Sequence, residues 1–134
     1  DRDLRRVTHP HAEIAERVFA SFRRDPRTLA SLIAEDAVWT VVGRAPVAGV
    51  YEGRRSIFDL FRATQTLTDS TYLAELRWVL ADDARTVVVY RANGRRGDRE
   101  LDIDQALFVR VEDGRWQEIL AVPLDPVAFD SFWT

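Results

Sequence analysis

The sequence predicts an α+β fold, with helices gathered on one face of a mostly antiparallel sheet. Two observations carry this reading. Helical periodicity dominates the first half of the 134 residues, whereas the second half alternates apolar and polar positions between tight turns. Tight turns make consecutive strands antiparallel neighbours. The length suits one domain spanning residues 1–134, and neither an internal repeat nor a low-complexity linker divides it.

Each element has its own signal. Thr8-His9-Pro10 reads as a helix start, with Pro10 at the first helical position. Ile14, Val18, Phe19 and Phe22 then recur at helical spacing, and Arg23 and Arg24 suit the C-terminus. Asp25-Pro26 opens a second, short helix with Leu29, Leu32 and Ile33 facing inward. Residues Ala37 to Val42 are β-branched and aromatic and read as a strand, followed by a loop from Gly43 to Gly49. Gly53 begins a third helix that buries Ile57, Leu60, Phe61 and Thr64. Strands follow at Thr71 to Leu80, Thr86 to Ala92, Glu100 to Val111 and Trp116 to Val122. Their predicted turns are Ala81-Asp82-Asp83, Asn93-Gly94 and Glu112-Asp113-Gly114. Pro123 and Pro126 end the last strand, leaving an apolar tail from Phe129 to Trp133.

Composition narrows the function classes. Twenty-two acids against 19 bases give a net charge of −3, a poor match for a phosphate backbone, so no nucleic-acid partner is expected. There is no cysteine, which removes disulfides, thiolate catalysis and sulfur-bound zinc, and fits a cytoplasmic location. Nothing reads as a membrane span or a secretory signal. The first residue is Asp1 rather than Met, so a start inside a longer chain is expected. His9 and His11 read as surface residues, and no spaced His–carboxylate cluster suggests a metal. No glycine-rich phosphate loop precedes a helix, so no nucleotide or other cofactor is expected.

Several stretches resemble a known family. Glu35-Asp36-Ala37-Val38-Trp39, Gly43-Arg44-Ala45-Pro46 and Gly49-Val50-Tyr51-Glu52-Gly53-Arg54 resemble the SnoaL-like branch of the nuclear transport factor 2-like superfamily. Phe108-Val109-Arg110 before Asp113-Gly114-Arg115, and Asp125 with Phe129-Asp130-Ser131-Phe132-Trp133, fit the same branch. The resemblance runs from about Pro10 to Trp133. It implies a cone in which three helices of the N-terminal half pack on a strongly curved, mostly antiparallel sheet and enclose a pocket. It also implies a hydrophobic small-molecule substrate or ligand, and a homodimer through the outer sheet face. Members include ketosteroid isomerases, polyketide cyclases, epoxide hydrolases and proteins that only bind, so the fold alone selects no function.

The segment Glu100-Leu101-Asp102-Ile103-Asp104-Gln105-Ala106-Leu107-Phe108 bears most on chemistry. Alternation puts Glu100, Asp102, Asp104, Ala106 and Phe108 on one face and Leu101, Ile103, Gln105, Leu107 and Val109 on the other. Pattern alone describes a half-buried strand with its acids in water. The resemblance implies the opposite. Ile103 to Phe108 is similar to the isomerase segment that carries an oxyanion-hole aspartic acid, and Asp104 matches that acid. Asp104 would then be a proton donor in the pocket, with Asp102 beside it as the base, their pKa values driven apart by burial and mutual repulsion. In ketosteroid isomerase itself, an apolar site keeps such a carboxylic acid neutral so that it can donate a hydrogen bond.

Other family parts differ here. The first-strand base position falls at Thr40 (or Val41), the first-helix tyrosine position falls near Arg17, and the hydrolase arginine position holds Asp102. Around the two acids, Thr40, Tyr51, Phe61, Trp78, Tyr90 and Ile119 are the expected substrate-binding side chains. Trp39 is a further aromatic candidate, and Arg91 either pairs with an acid or stands at a wet edge. The leading functional expectation is a cofactor-independent isomerase or cyclase acting on a hydrophobic molecule such as a polyketide intermediate. The alternatives are a non-catalytic binder of hydrophobic ligands, an epoxide-opening enzyme, and an accessory domain.

Overall fold

The computed structural model describes residues 9–134, so Thr8, assigned above to the first helix start, lies outside the described residues. Helix α1 spans Pro10–Ser21 with His9 as its N-cap. The His9 Nδ1 accepts from the His11 backbone N–H at 3.1 Å, and proline at the first position gives up an N–H that had no helical partner. Helix α2 spans Pro26–Leu32, capped as expected by Asp25, which accepts from the Thr28 N–H at 3.1 Å.

Strand β1 spans Ile33–Val41 and takes over directly from α2. Ile33, expected on the inner face of that helix, is instead the first strand residue and is fully buried. The four-residue strand β2 (Gly49–Glu52) had no sequence signal, because so short a run shows no alternation. Helix α3 (Arg54–Leu67) follows Gly53 and buries Ile57 and Leu60. Strands β3 (Leu73–Ala81), β4 (Thr86–Arg96), β5 (Arg99–Glu112) and β6 (Arg115–Pro123) complete the sheet, and α4 (Pro126–Trp133) ends the chain. The residues expected as an apolar tail are therefore a fourth helix, capped by Asp125 accepting from the Ala128 N–H at 3.0 Å.

The six strands run in the order β2-β1-β6-β5-β4-β3. All neighbours are antiparallel except β1 and β6, which are parallel. Asp113-Gly114 forms the predicted hairpin turn, with both residues at positive φ. Asn93-Gly94 does not turn. Both residues lie inside β4, and the chain reverses at Gly97-Asp98 instead. Gly94 instead lies where another chain segment passes close: a Cβ there would stand 3.2 Å from the Tyr72 Cα, a tight contact.

The helices and the inner face of the sheet share one core, in which Trp116, Ile33, Ile57, Leu107 and Val88 are fully buried. Side chains on α4 add Phe129, Phe132 and Trp133 to it. Two ties hold α4 there. Asp130 Oδ1 accepts from the backbone N–H groups of Arg44 at 2.9 Å and Ala45 at 3.1 Å, and Arg96 Nη1 donates to the Phe132 carbonyl at 2.8 Å. The Asp130 tie requires Gly43, whose φ is +151° and whose hypothetical Cβ would lie 2.9 Å from Asp130 Oδ1.

Candidate functional site

The α+β cone encloses an apolar cavity of about 80 Å3, several times the ~10–15 Å3 that one water needs. Its roof is Val18 and Phe19 from α1, Phe22 just past the end of that helix, and Leu60, Phe61 and Thr64 from α3. Its floor is the inner sheet face, from Trp39 and Val41 on β1 to Tyr90 on β4. Phe129 and Trp133 of α4 close one side. Edge-to-face contacts join these walls: Trp39 meets Phe61 with ring centroids 5.2 Å apart, and Phe22 meets Phe61 at 5.3 Å.

Strand alternation decides which residues reach this space. On β5 the inward residues are Leu101, Ile103, Gln105, Leu107 and Val109, all buried. Asp102 and Asp104 have the opposite parity and stand on the outer face of the sheet, with side chains 67% and 43% exposed. This corrects the pocket placement implied by the resemblance. The physical reason is the period of two: the apolar set of β5 occupies the core face and carries the acids outward with it. There Arg91 of β4 donates to both, Nε to Asp102 Oδ1 at 2.7 Å and Nη1 to Asp104 Oδ1 at 3.2 Å. The Arg91 hydrogen bond holds the Asp102 carboxyl below its ordinary range. Burial raising an aspartic acid, as the resemblance implied, is not the situation of Asp102.

Of the expected binding residues, Tyr90 and Phe61 line the cavity. The other four do not. Thr40 lies between the inward Trp39 and Val41 and so faces outward. Trp78 is on the outer face and 48% exposed. Tyr51 donates its hydroxyl to the Val47 carbonyl at 2.7 Å and thereby ties down the loop. Ile119 points into the core but not into the cavity wall, which β6 forms with Trp116 and Ala121.

Cavity residues with polar atoms that the sequence did not single out as site candidates include Tyr72, Gln105 and Trp116. Gln105 Nε2 donates to the Tyr90 hydroxyl at 2.5 Å, and the Tyr72 hydroxyl neighbours Tyr90. Burial pushes the Tyr90 phenol up to about 12, against the pull of hydrogen bonds from Tyr72 and Gln105. Burial, then the adjacent Tyr90, pushes Tyr72 well above the usual phenol value. Both are neutral hydrogen-bonding groups at pH 7. Gln105 Oε1 and Trp116 Nε1 are buried with no hydrogen-bond partner among the described residues. Among the described residues, no side chain that lines the cavity carries a formal charge. A signal for Gln105 existed: it was the one polar member of the apolar face of its strand.

Residues 15–119 match the SnoaL-like domain. The chain belongs to the SnoaL-like family. An uncharacterized protein of Mycobacterium tuberculosis is 32% identical over 123 residues, covering 90% of this chain and 94% of that one. The structure of Bal32a, from a soil-derived mobile gene cassette, superposes with a TM-score of 0.90 at 33% identity, covering 93% of this chain and 97% of Bal32a. IdmH of Streptomyces antibioticus, which is proposed to be a polyketide cyclase, shares the fold with a TM-score of 0.72 at 21% identity, over 90% of this chain and 95% of its own. The SnoaL-like cone with its curved sheet is thus the nuclear transport factor 2-like fold. No helix among the described residues is long and apolar enough to cross a membrane.

Proposed function

We propose that this SnoaL-like chain holds a hydrophobic small molecule in the cone cavity and meets it with neutral hydrogen-bonding groups rather than carboxylates. The observation that carries this reading is the cavity wall itself: aromatic and aliphatic on nearly every side, with Tyr72, Tyr90 and Gln105 as a neutral polar cluster. Apolar pockets with a few convergent polar groups are the usual form of small-molecule sites. Xenon is a suitable probe for a cavity of this size, read by shifts of the indole N–H resonances of the wall tryptophans Trp39, Trp116 and Trp133. Saturable one-to-one binding is expected, abolished by Ala121→Phe, which fills the cavity. Equal binding by that variant would place the ligand elsewhere and sink the proposal.

A cyclase or isomerase activity fits the same site. The polar cluster supplies donors that can polarise a carbonyl, and the aromatic walls can fold a flexible chain for ring closure. The likeness to IdmH favours this second reading. Tyr90→Phe is the discriminating variant, since turnover of a cyclising substrate at the wild-type rate would remove the donor role.

The outer sheet face supports the homodimer. Leu80, Val87, Phe108, Leu120, Thr40 and Val50 are register partners in turn and form one row across all six strands. Leu80, Phe108, Leu120 and Val50 are between 40% and 65% exposed, an apolar band of the kind that marks an interface. Light scattering should give twice the monomer mass for the wild type and the monomer mass for Phe108→Glu; a wild-type monomer at high concentration would count against the dimer.

A further inference from the structure

The cavity wall is not sealed evenly. Most residues that line it are buried, but Phe19, Phe22, Phe61, Thr64 and Ala74 are only half-buried. These lie together, where the C-terminal end of α1, the second half of α3 and the start of β3 meet. The rings of Phe22 and Phe61 join α1 to α3 there, edge to face with centroids 5.3 Å apart, and Phe22 stands 6.4 Å from the Tyr72 ring just before β3. Side chains that touch both the cavity and solvent mark the thin part of the wall.

The two turns beside this point carry strained backbone. Phe22 is the C-cap of α1, and the next residue, Arg23, has φ +70°. Across the mouth, α3 ends at Leu67, and Asp69 and Ser70 follow at φ +53° and +64°. In this left-handed region an L side chain sets its Cβ against a carbonyl oxygen, which is why glycine usually serves there. Among the described residues, three of the four non-glycine positions with positive φ lie in these two turns; the fourth, Asp113, belongs to a hairpin. Such strain persists only where the surroundings hold it, and it gathers at clamps and switches. Here a bond between the turns holds it: Arg23 Nη2 donates to the Ser70 carbonyl at 2.9 Å. Both turns are anchored at their ends. The Ser21 carbonyl accepts from the Arg24 and Asp25 N–H groups, and the buried Thr68 accepts at its hydroxyl from the Tyr72 N–H at 3.1 Å. Movement is thereby confined to Phe22 and Arg23 on one side and Asp69 and Ser70 on the other.

From this we infer that a ligand enters the cavity between the ends of α1 and α3, that Phe22 is the gate, and that Arg23 latches it by its bond to Ser70. With the latch made, the Phe22 ring stays against Phe61 and closes the thin part of the wall. With it broken, the turn after α1 relaxes towards ordinary backbone angles and carries the adjoining Phe22 with it. The wall made by α4 is held more firmly, by two N–H bonds to Asp130, the Arg96 bond to the Phe132 carbonyl, and three buried aromatic side chains. Arg23 does not line the cavity. It is a positioning residue that sets how often the cavity opens, not how tightly it binds. This inference rests on the cavity-binding reading above and adds the route into the site and the device that controls it.

The test uses the whole protein at pH 7 with xenon as the probe. Titration gives the dissociation constant, and relaxation dispersion of the wall indole N–H resonances at half saturation gives the exchange rates. A gate that opens more often speeds entry and exit alike. Losing one exposed hydrogen bond from a charged donor shifts the opening equilibrium by roughly fivefold. Arg23→Ala should therefore raise both rates by roughly fivefold and leave the dissociation constant unchanged. Phe22→Leu, which shrinks the gate itself, should exchange at least as fast as Arg23→Ala. Arg24→Ala removes the neighbouring charge without touching the latch and should change neither rate. Arg96→Ala loosens α4 and should also leave the rates alone. Wild-type rates in Arg23→Ala, or an equal rise in Arg96→Ala, would overturn the gate while leaving cavity binding intact. So would a dissociation constant that changes in Arg23→Ala as much as the rates do, since Arg23 would then shape the bound state. Failure of xenon to bind the wild type would overturn both readings.

Discussion

Replacing Gln105 by leucine removes a polar side chain from a site that is 5% exposed, and the sign of the stability change follows from its bonds. Its Oε1 has no partner, and an unsatisfied buried acceptor costs about 1–3 kcal/mol. Its Nε2 donates one hydrogen bond to the Tyr90 hydroxyl, worth about 1 kcal/mol net. Tyr90 keeps Tyr72 as a neighbour after the change, so its oxygen is not stranded. The balance favours the variant by roughly 1 kcal/mol, or about 3–4 °C in Tm for a chain of this size. Thermal unfolding by circular dichroism, with urea titration for the free energy, measures both. A polar residue that costs stability where it sits is accounted for by binding rather than by folding. A loss of more than about 1 kcal/mol in Gln105→Leu would refute that reasoning and make Gln105 a structural tie.

Three further outcomes are expected. Asp130→Ala strands the buried Ala45 N–H and frees the Arg44 N–H, so it should destabilise by about 1–3 kcal/mol; an unchanged urea midpoint would show that α4 and the loop hold each other by packing alone. The protein has three tyrosines, and burial raises the phenol pKa of each. Absorbance at about 295 nm should therefore show no full tyrosine ionising at the usual phenol value near 10 while the fold persists. Because the folded Tyr90 value, about 12, exceeds the unfolded one, its contribution to stability is complete below about pH 10 and is lost as pH rises towards 12. Tyr90→Phe should flatten that alkaline decline, and an unchanged slope would count against burial as its cause. Finally, Arg91→Gln should let the Asp102 carboxyl titrate at higher pH by NMR. The contribution of that pair is present above the unfolded carboxylate pKa near 4 and disappears as pH falls through the lower folded value, so the variant should lose less stability on acidification than the wild type does.

Local chemistry made much of the fold legible. Asp25-Pro26 specified a cap and a first turn within four residues, and Asp113-Gly114 specified a hairpin, because each signal acts on its own backbone. Where a signal depended on distant packing it misled. Asn93-Gly94 has the composition of a turn, yet both residues extend β4, with the chain at Tyr72 passing close to Gly94. Ile33 continues the apolar pattern of α2 but pairs with Trp116 as a strand residue. The short strand β2 exists only because β1 offers it an edge.

For the site, the sequence by itself determined the parity of β5, and with it the sharing of one face by Leu101, Ile103, Gln105 and Leu107. It could not say which face was inside, since a family likeness shifted by one residue exchanges Asp104 for Gln105. Only the tertiary structure decided that, by laying α1 and α3 over the apolar face and leaving the acids to Arg91 and solvent. The physical reason is one of scale. Alternation is a property of consecutive residues, whereas a cavity is made by side chains from eight different elements and the loops between them, whose meeting depends on how the whole sheet is covered.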